Sequence, residues 1–395
     1  MIRGRRAPRL AGSLRGAVVA STLAATASYL ATTIAHACPF CGGVGQSLAQ
    51  RRDAAAVVAV GEATGNAAAD ATGLAVQPFR VDQVLRGRTG PGDTVTARVA
   101  APITGTALLF AAADDGPSSP LRWTAIAADE AFLGYAVAAP GVARPAAERL
   151  RWFAARLEHP DPAIAADAFT EFGRAPFADV RAAADAFDVR ALRAWLADPG
   201  VDQRRRGLYG LLLGVAARAE RDPAVARDCT AALVRAVDAA GDDFRAGFDG
   251  IVAGLLVAEG EGGLASLRDR GLFGPAARPL DQRHLLAALR FAGESLGDTL
   301  PRERIAAATR LLLARPAVAA DAAIDLARYR DWDAVDDVAG LWDAVGRDDP
   351  LVRRAVAGYL AACPLPAATR QLEAIRERDP EALRRALDAA ALPVR

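Results

Sequence analysis

From Leu150 to the C-terminus, apolar residues return every three or four positions between short Pro, Asp and Gly breaks, as at Leu150, Phe153 and Leu157. That spacing belongs to amphipathic helices, each burying one stripe, and such helices must stack on neighbours. The stretch from Leu150 to Gly214 sets the pattern for the rest of the chain. It predicts helices over 146–158, 162–173, 177–187, 189–197, 202–219, 223–239, 243–258, 262–270, 280–295, 302–314, 317–329, 332–345, 350–362, 366–378 and 380–391. Four of these open on Asp or Arg followed by Pro: DPAIAADAF at 161, DPAVARDCTAAL at 222, RPAVAADAAIDLA at 315 and DPLVRRAVAGYL at 349. Pro at the first helical position behind an Asp cap is an efficient helix start, because its missing N–H has no partner there to lose. The interval from Pro316 to Pro350 is close to a helical-repeat period, whereas the earlier intervals are irregular, so an irregular helical bundle stands beside a repeat array.

Between Ala54 and about Pro140 the period changes. AAAVVAVGEA, LAVQPFRVDQVLRG, DTVTARV, TALLFAAA and WTAI read as five short strands separated by turn residues, a spacing that predicts a small, partly open barrel or sandwich. Phe79 and Val81 alternate with Arg80 and Asp82, as one buried and one wet face require. Gln77-Pro78 predicts an edge position or a bulge. The fold class is therefore multidomain α+β, with a small β-barrel over 38–140 and a large all-α region over 146–395. A chain of 395 residues has ample core for both. The 52% hydrophobic content is mostly Ala and only 6% of residues are aromatic, which favours closely packed helices.

The first 37 residues read as an export signal. Arg3, Arg5, Arg6, Arg9 and Arg15 precede an uncharged run from Gly16 to Ala35, and Ala35-His36-Ala37 fits a small-x-small cleavage site. Cleavage would leave Cys38 first and place the chain in the periplasm or outside the cell. A retained anchor is the other reading, since the run is just long enough to span, but its Ala, Thr and Ser content favours cleavage. Without the leader the chain has 43 basic and 47 acidic residues, a net charge of −4 that argues against nucleic acid as a partner.

Export also permits disulfides among Cys38, Cys41, Cys229 and Cys363. Cys38-Pro39-Phe40-Cys41 is the most specific local motif. Two sulfurs at C-x-x-C spacing can form a disulfide, exchange thiols, or supply two ligands to a metal, with the new α-amine as a third donor. Gly42 stands where a c-type haem would need His, and no second C-x-x-C exists. A disulfide pinning the N-terminus to the barrel is the expectation. No cofactor is expected, with metal at Cys38 and Cys41 as the alternative. Cys229 and Cys363 read as buried thiols or a bridge between distant helices.

A second constellation is polar. Asp167 and Glu171 are four apart on one helix and should repel unless a cation lies between them. Arg174 follows, and Arg205, Arg206 and Tyr209 open a later helix. These six read either as an ion-pair network between helices or as a recognition groove for a protein or peptide partner. Asp331, Asp333, Asp336 and Asp337 lack the central Gly and terminal Glu of a calcium loop. EGEGG at 259–263 reads as a loop between helices and lacks the Lys-Ser/Thr of a phosphate loop. No nucleophile elbow accompanies His159 or His284.

The barrel segment resembles the netrin-like domain family, the OB-type barrels related to tissue inhibitors of metalloproteinases, through the N-terminal Cys pair, VVAVGEA, FRVDQVLRG followed by GDTVTARV, and ALLFA. Those inhibitors open with C-x-C and bridge within the domain. Here the spacing is C-x-x-C and the segment has no further Cys, so the resemblance implies the barrel rather than the inhibition. DPLVRRAVAGYL most closely resembles a HEAT-type repeat. The whole order is similar to that of a group of bacterial secreted proteins, which implies location and architecture and carries no activity. The expected function is an exported, non-enzymatic interaction protein with no membrane span after cleavage. A thiol-redox or metal-binding protein built on CPFC is the alternative.

Overall fold

The computed structural model describes residues 45–113, 120–241 and 244–391. The leader and the CPFC motif lie outside the described residues.

Helix α1 (Leu48–Ala54) leads into strands β1 (Val57–Ala63), β2 (Ala68–Ala69), β3 (Ala75–Arg86), β4 (Thr94–Arg98), β5 (Thr106–Ala113) and β6 (Leu121–Ala127). The five longer strands are the five expected from the sequence, and they close into a barrel. The sheet runs β1-β5-β6-β4-β3-β2, and β1 pairs back with β3. All pairings are antiparallel except β4 with β6. Phe79 and Val81 are fully buried while Arg80 and Asp82 pair in solvent. Pro78 lies one residue beyond the end of the β1–β3 pairing, and register shifts interrupt that pairing at Val58/Ala59 and Val60/Gly61.

The barrel interior holds Ala59, Phe79, Val81, Ala97, Ala107 and Leu109. Val58, Leu108 and Phe110 point the other way, into a second core shared with helices. Burial on both faces explains why VVAV and TALLFAAA are continuous apolar runs rather than alternating ones.

Helices α2 (Glu130–Ala138), α3 (Ala146–Ala154), α4 (Pro162–Arg174), α5 (Phe177–Ala182) and α6 (Val189–Ala197) cover that outer face and lead into the array. The array continues with α7 (Gln203–Ala219), α8 (Pro223–Asp238), α9 (Phe248–Glu259), α10 (Glu261–Asp269), α11 (Pro279–Ser295) and α12 (Arg302–Arg310). It ends with α13 (Ala319–Tyr329), α14 (Val335–Gly340), α15 (Pro350–Ala362), α16 (Pro366–Arg378) and α17 (Pro380–Ala391). The Asp-Pro starts behave as expected: Asp161, Asp222 and Asp349 each accept a backbone N–H across the first turn of α4, α8 and α15.

The odd-numbered helices from α7 to α17 pack each on the next, and α8, α10, α12, α14 and α16 lie against that row. Polar ties recur through the helical region from α3 onward at separations of 34 to 36 residues: Arg151–Asp185, Arg193–Asp228, Arg245–Asp281, Arg290–Asp325 and Asp343–Arg378. The closest pair is α7 and α9, where Gly207, Gly210 and Gly214 face Gly247, Gly250 and Gly254. A methyl group at Gly254 would lie 2.1 Å from the Gly210 carbonyl oxygen.

Several boundaries differ from the sequence reading for identifiable reasons. EGEGG is not a loop, since α9 and α10 are separated by Gly260 alone, at φ 55°. Helix α9 starts at Phe248 rather than 243 because Gly247 takes φ 81°. The expected helix over 332–345 divides into a 3-10 turn at Trp332–Ala334 and α14. Helices α1 and α2 were not anticipated.

Candidate functional site

The six polar residues singled out in the sequence fall into two separate sets of contacts. Asp167 on α4 accepts the Leu48 N–H at 2.7 Å and the Tyr135 hydroxyl at 2.6 Å, joining α1, α2 and α4 at one carboxylate. Glu171, one turn on and 5% exposed, pairs with Arg149 from α3 beside Ser47. The Glu171 Oε1 has no hydrogen-bond partner. Arg174 donates to the Gly45 carbonyl at 3.3 Å. Burial pushes the Asp167 and Glu171 carboxyls above their ordinary range, against the pull of Arg149. The cation that the Asp167–Glu171 spacing calls for is thus supplied from within the chain. This set straps the segment that follows CPFC onto the helices.

The other set is also internal. Tyr209 is fully buried, donates to the Leu157 carbonyl at 3.2 Å and bonds Glu158. Arg205 pairs with Glu158 at 3.4 Å, and Arg206 donates to the Leu196 carbonyl at 3.1 Å. Cys229 and Cys363 are buried and unbridged. Asp331 and Asp333 pair with Arg310, and Asp336 accepts from Gln371.

An apolar cleft of about 380 Å³ lies between barrel and helices, floored by Leu48, Val58 and Leu108 and rimmed by Leu85 and Val137. Its guanidiniums are engaged: Arg52 holds Asp53 and the carbonyls of Ala136 and Ala139, and Arg86 reaches back to the carbonyls of Arg52 and Asp53.

A second cleft, of about 390 Å³, lies in the array between α12, the end of α13 and the start of α16. Helix α13 stops in a Schellman turn: the Arg330 N–H bonds Ala327 O at 3.0 Å and the Asp331 N–H bonds Leu326 O at 2.9 Å. That turn puts Arg330 at φ 57°, ψ 36°, a left-handed position that glycine occupies without strain. Asp331 is then fixed twice, its carboxylate by Arg310 and its carbonyl by the Tyr359 hydroxyl at 2.5 Å. Trp332 stands edge-on to Tyr359, ring centroids 5.3 Å apart. Leu365, capping α16, is 39% exposed on the opposite wall.

Comparison with known proteins finds no matching family model, curated relative or solved structure. The site is therefore read on its own chemistry. Apart from glycines, two described residues have positive φ, Arg245 and Arg330. At Arg245 the contacts account for the strain. Its guanidinium donates to the carbonyls of Val237 and Ala239 at the end of α8, pairs with Asp281 and lies 3.6 Å over the Phe248 ring. At Arg330 no such contact exists among the described residues, and its side chain is exposed to the cleft. Arg302, at the first turn of α12, lines the same cleft and is likewise uncommitted. A left-handed residue is an ordinary helix stop, most often glycine, and strain at other residues clusters at functional sites. No sequence spacing relates 302, 330 and 365, and only the turn at Arg330 brings them to one cavity.

Proposed function

We propose that this chain is an exported, non-enzymatic interaction protein that engages a protein partner through the cleft between α12, α13 and α16 of its helical array. The observation that carries the reading is the contrast between two left-handed arginines: the Arg245 side chain is held by its own chain, whereas the Arg330 side chain has no contact among the described residues and faces a cavity beside a second uncommitted cation. In this reading the barrel is OB-type, supported by its ring order β1-β3-β4-β6-β5 with a single parallel pair. The array is HEAT-like, supported by the stacked row of odd helices and the polar ties 34 to 36 residues apart. The leader is removed after Ala37, and Cys38 and Cys41 form a disulfide.

The test is site-specific photo-crosslinking in the exporting host, with a photoreactive amino acid at Leu365 and, as control, at Leu121, an equally exposed leucine on the barrel. A discrete protein adduct at 365, absent at 121 and lost in Arg330→Gly, is expected. No adduct at 365 would overturn the reading. The strap supports a second reading, in which Cys38 and Cys41 perform thiol or metal chemistry, because Arg174 and Asp167 fix the backbone just after them. Intact mass spectrometry with alkylation separates the two. A mass beginning at Cys38 and short by two hydrogens supports the disulfide, and free alkylatable thiols or bound metal support the second reading.

A further inference from the structure

We infer that the Arg302–Arg330 cleft receives the free C-terminal carboxylate of a peptide whose last side chain is apolar. The inference deepens the proposed function and rests on it. Its first support is charge. Arg310 is taken by Asp331 and Asp333, which leaves Arg302 and Arg330 as the two guanidiniums of the cleft without an ion-pair partner among the described residues, in a lining whose three Arg and three carboxylates balance. Two unpaired guanidiniums in a wall with no net charge suit a monoanion better than a more highly charged group. A doubly charged phosphate would meet the same three carboxylates with twice the charge. A guanidinium fork also matches a planar carboxylate with two parallel hydrogen bonds.

The second support is the pairing of chemistries. The cleft, at about 390 Å³, is far larger than one anion needs, and Trp332 and Leu365 give it an apolar side next to the cations. A chain terminus carries its carboxylate and its side chain on the same carbon. An internal Asp or Glu carries no apolar branch beside its carboxylate. The third support is the backbone. Gly at 330 would complete the Schellman turn without strain, so the turn does not require Arg, and Arg adds a guanidinium exposed at the cleft.

The test uses the full mature chain and fluorescence anisotropy, with fluorescein-labelled Gly/Ser-rich octapeptides ending in leucine, phenylalanine, valine or alanine. Each is compared as the free acid and as the C-terminal amide. The free acids with bulky apolar ends should bind at least tenfold more tightly than their amides, and more weakly as salt is added. Arg330→Gly should lose at least tenfold in affinity with a melting temperature equal to or above that of the parent, so lost binding is not lost folding. Arg302→Gln should lose affinity in the same direction. Equal binding of acid and amide, unchanged binding in Arg330→Gly, or no binding of any free acid at 1 mM peptide, a concentration set on the order of a weak site, would overturn the inference. Adducts at Leu365 with no acid–amide difference would overturn this ligand class and leave the partner reading standing. Loss of both would remove both.

Discussion

Arg330 occupies a backbone region that costs an L-residue roughly 1–2 kcal/mol, and the two hydrogen bonds of the Schellman turn hold it there without any contact from its side chain. Gly relieves the steric part and loses some chain entropy in exchange, so Arg330→Gly should raise stability by about 1 kcal/mol in urea unfolding. His284 makes the opposite kind of statement. Burial opposes its charge, but Asp249 at 3.6 Å, the Phe244 carbonyl at 3.1 Å and Asp281 prevail, and its pKa is raised. A base whose folded pKa is raised binds its proton more tightly when folded. Its contribution is complete below the unfolded value of about 6.5 and is lost as pH climbs through the folded value. His284→Gln should therefore reduce stability more at pH 5.5 than at pH 9. Equal losses at the two pH values would assign the effect to packing against Phe248 alone.

At the scale of elements, the α7–α9 contact is the tightest feature of the fold. Gly254→Ala drives a methyl into the Gly210 carbonyl and should cost about 3 kcal/mol or more, because neither backbone can withdraw without repacking the row. Gly262→Ala in α10 meets nothing closer than 3.5 Å, from the Glu259 carboxylate, and should be neutral or slightly stabilising. This scale is also where the sequence was most legible. The strands of the barrel and the helices from α3 onward follow from apolar spacing, because each buries a face whose period is fixed by its backbone. Helices α1 and α2 escaped for a physical reason. LAQRRDA is only seven residues long, and EAFLGYAVA is apolar on nearly every face, so neither shows a 3.6-residue stripe. The cleft escaped because it depends on a chain reversal at Arg330, an Arg where local rules look for Gly. Asp167 and Glu171 were legible as a strained like-charge pair. Their partners Tyr135, Arg149 and Leu48 were not, since those contacts span up to 119 residues.

At the scale of the whole molecule, barrel and array share a core. Val58, Leu108 and Phe110 from the strands pack in one cluster with Phe132, Leu150, Phe153 and Leu157 from the helices. Tyr135 on α2 and Trp152 on α3, ring centroids 5.3 Å apart, join the two helices over that core. A fragment spanning 38–140 would expose the outer face of β1 and β5, and it should show poorly dispersed amide resonances with no cooperative melt. The full chain should lose barrel and helix signals together. Sharp, dispersed spectra from the fragment would mean that the strands sustain themselves without the helices.

The bond from Leu48 to Asp167 has a consequence in time as well as in space. A chain that emerges N-terminus first, from a ribosome or through a membrane pore, presents its strands long before α4. The first helix stays unlatched until residue 167 arrives, and the outer face of β1 and β5 stays uncovered until α2 and α3 follow the strands out. The core that barrel and helices share can therefore close only after the helices that complete it have followed the strands.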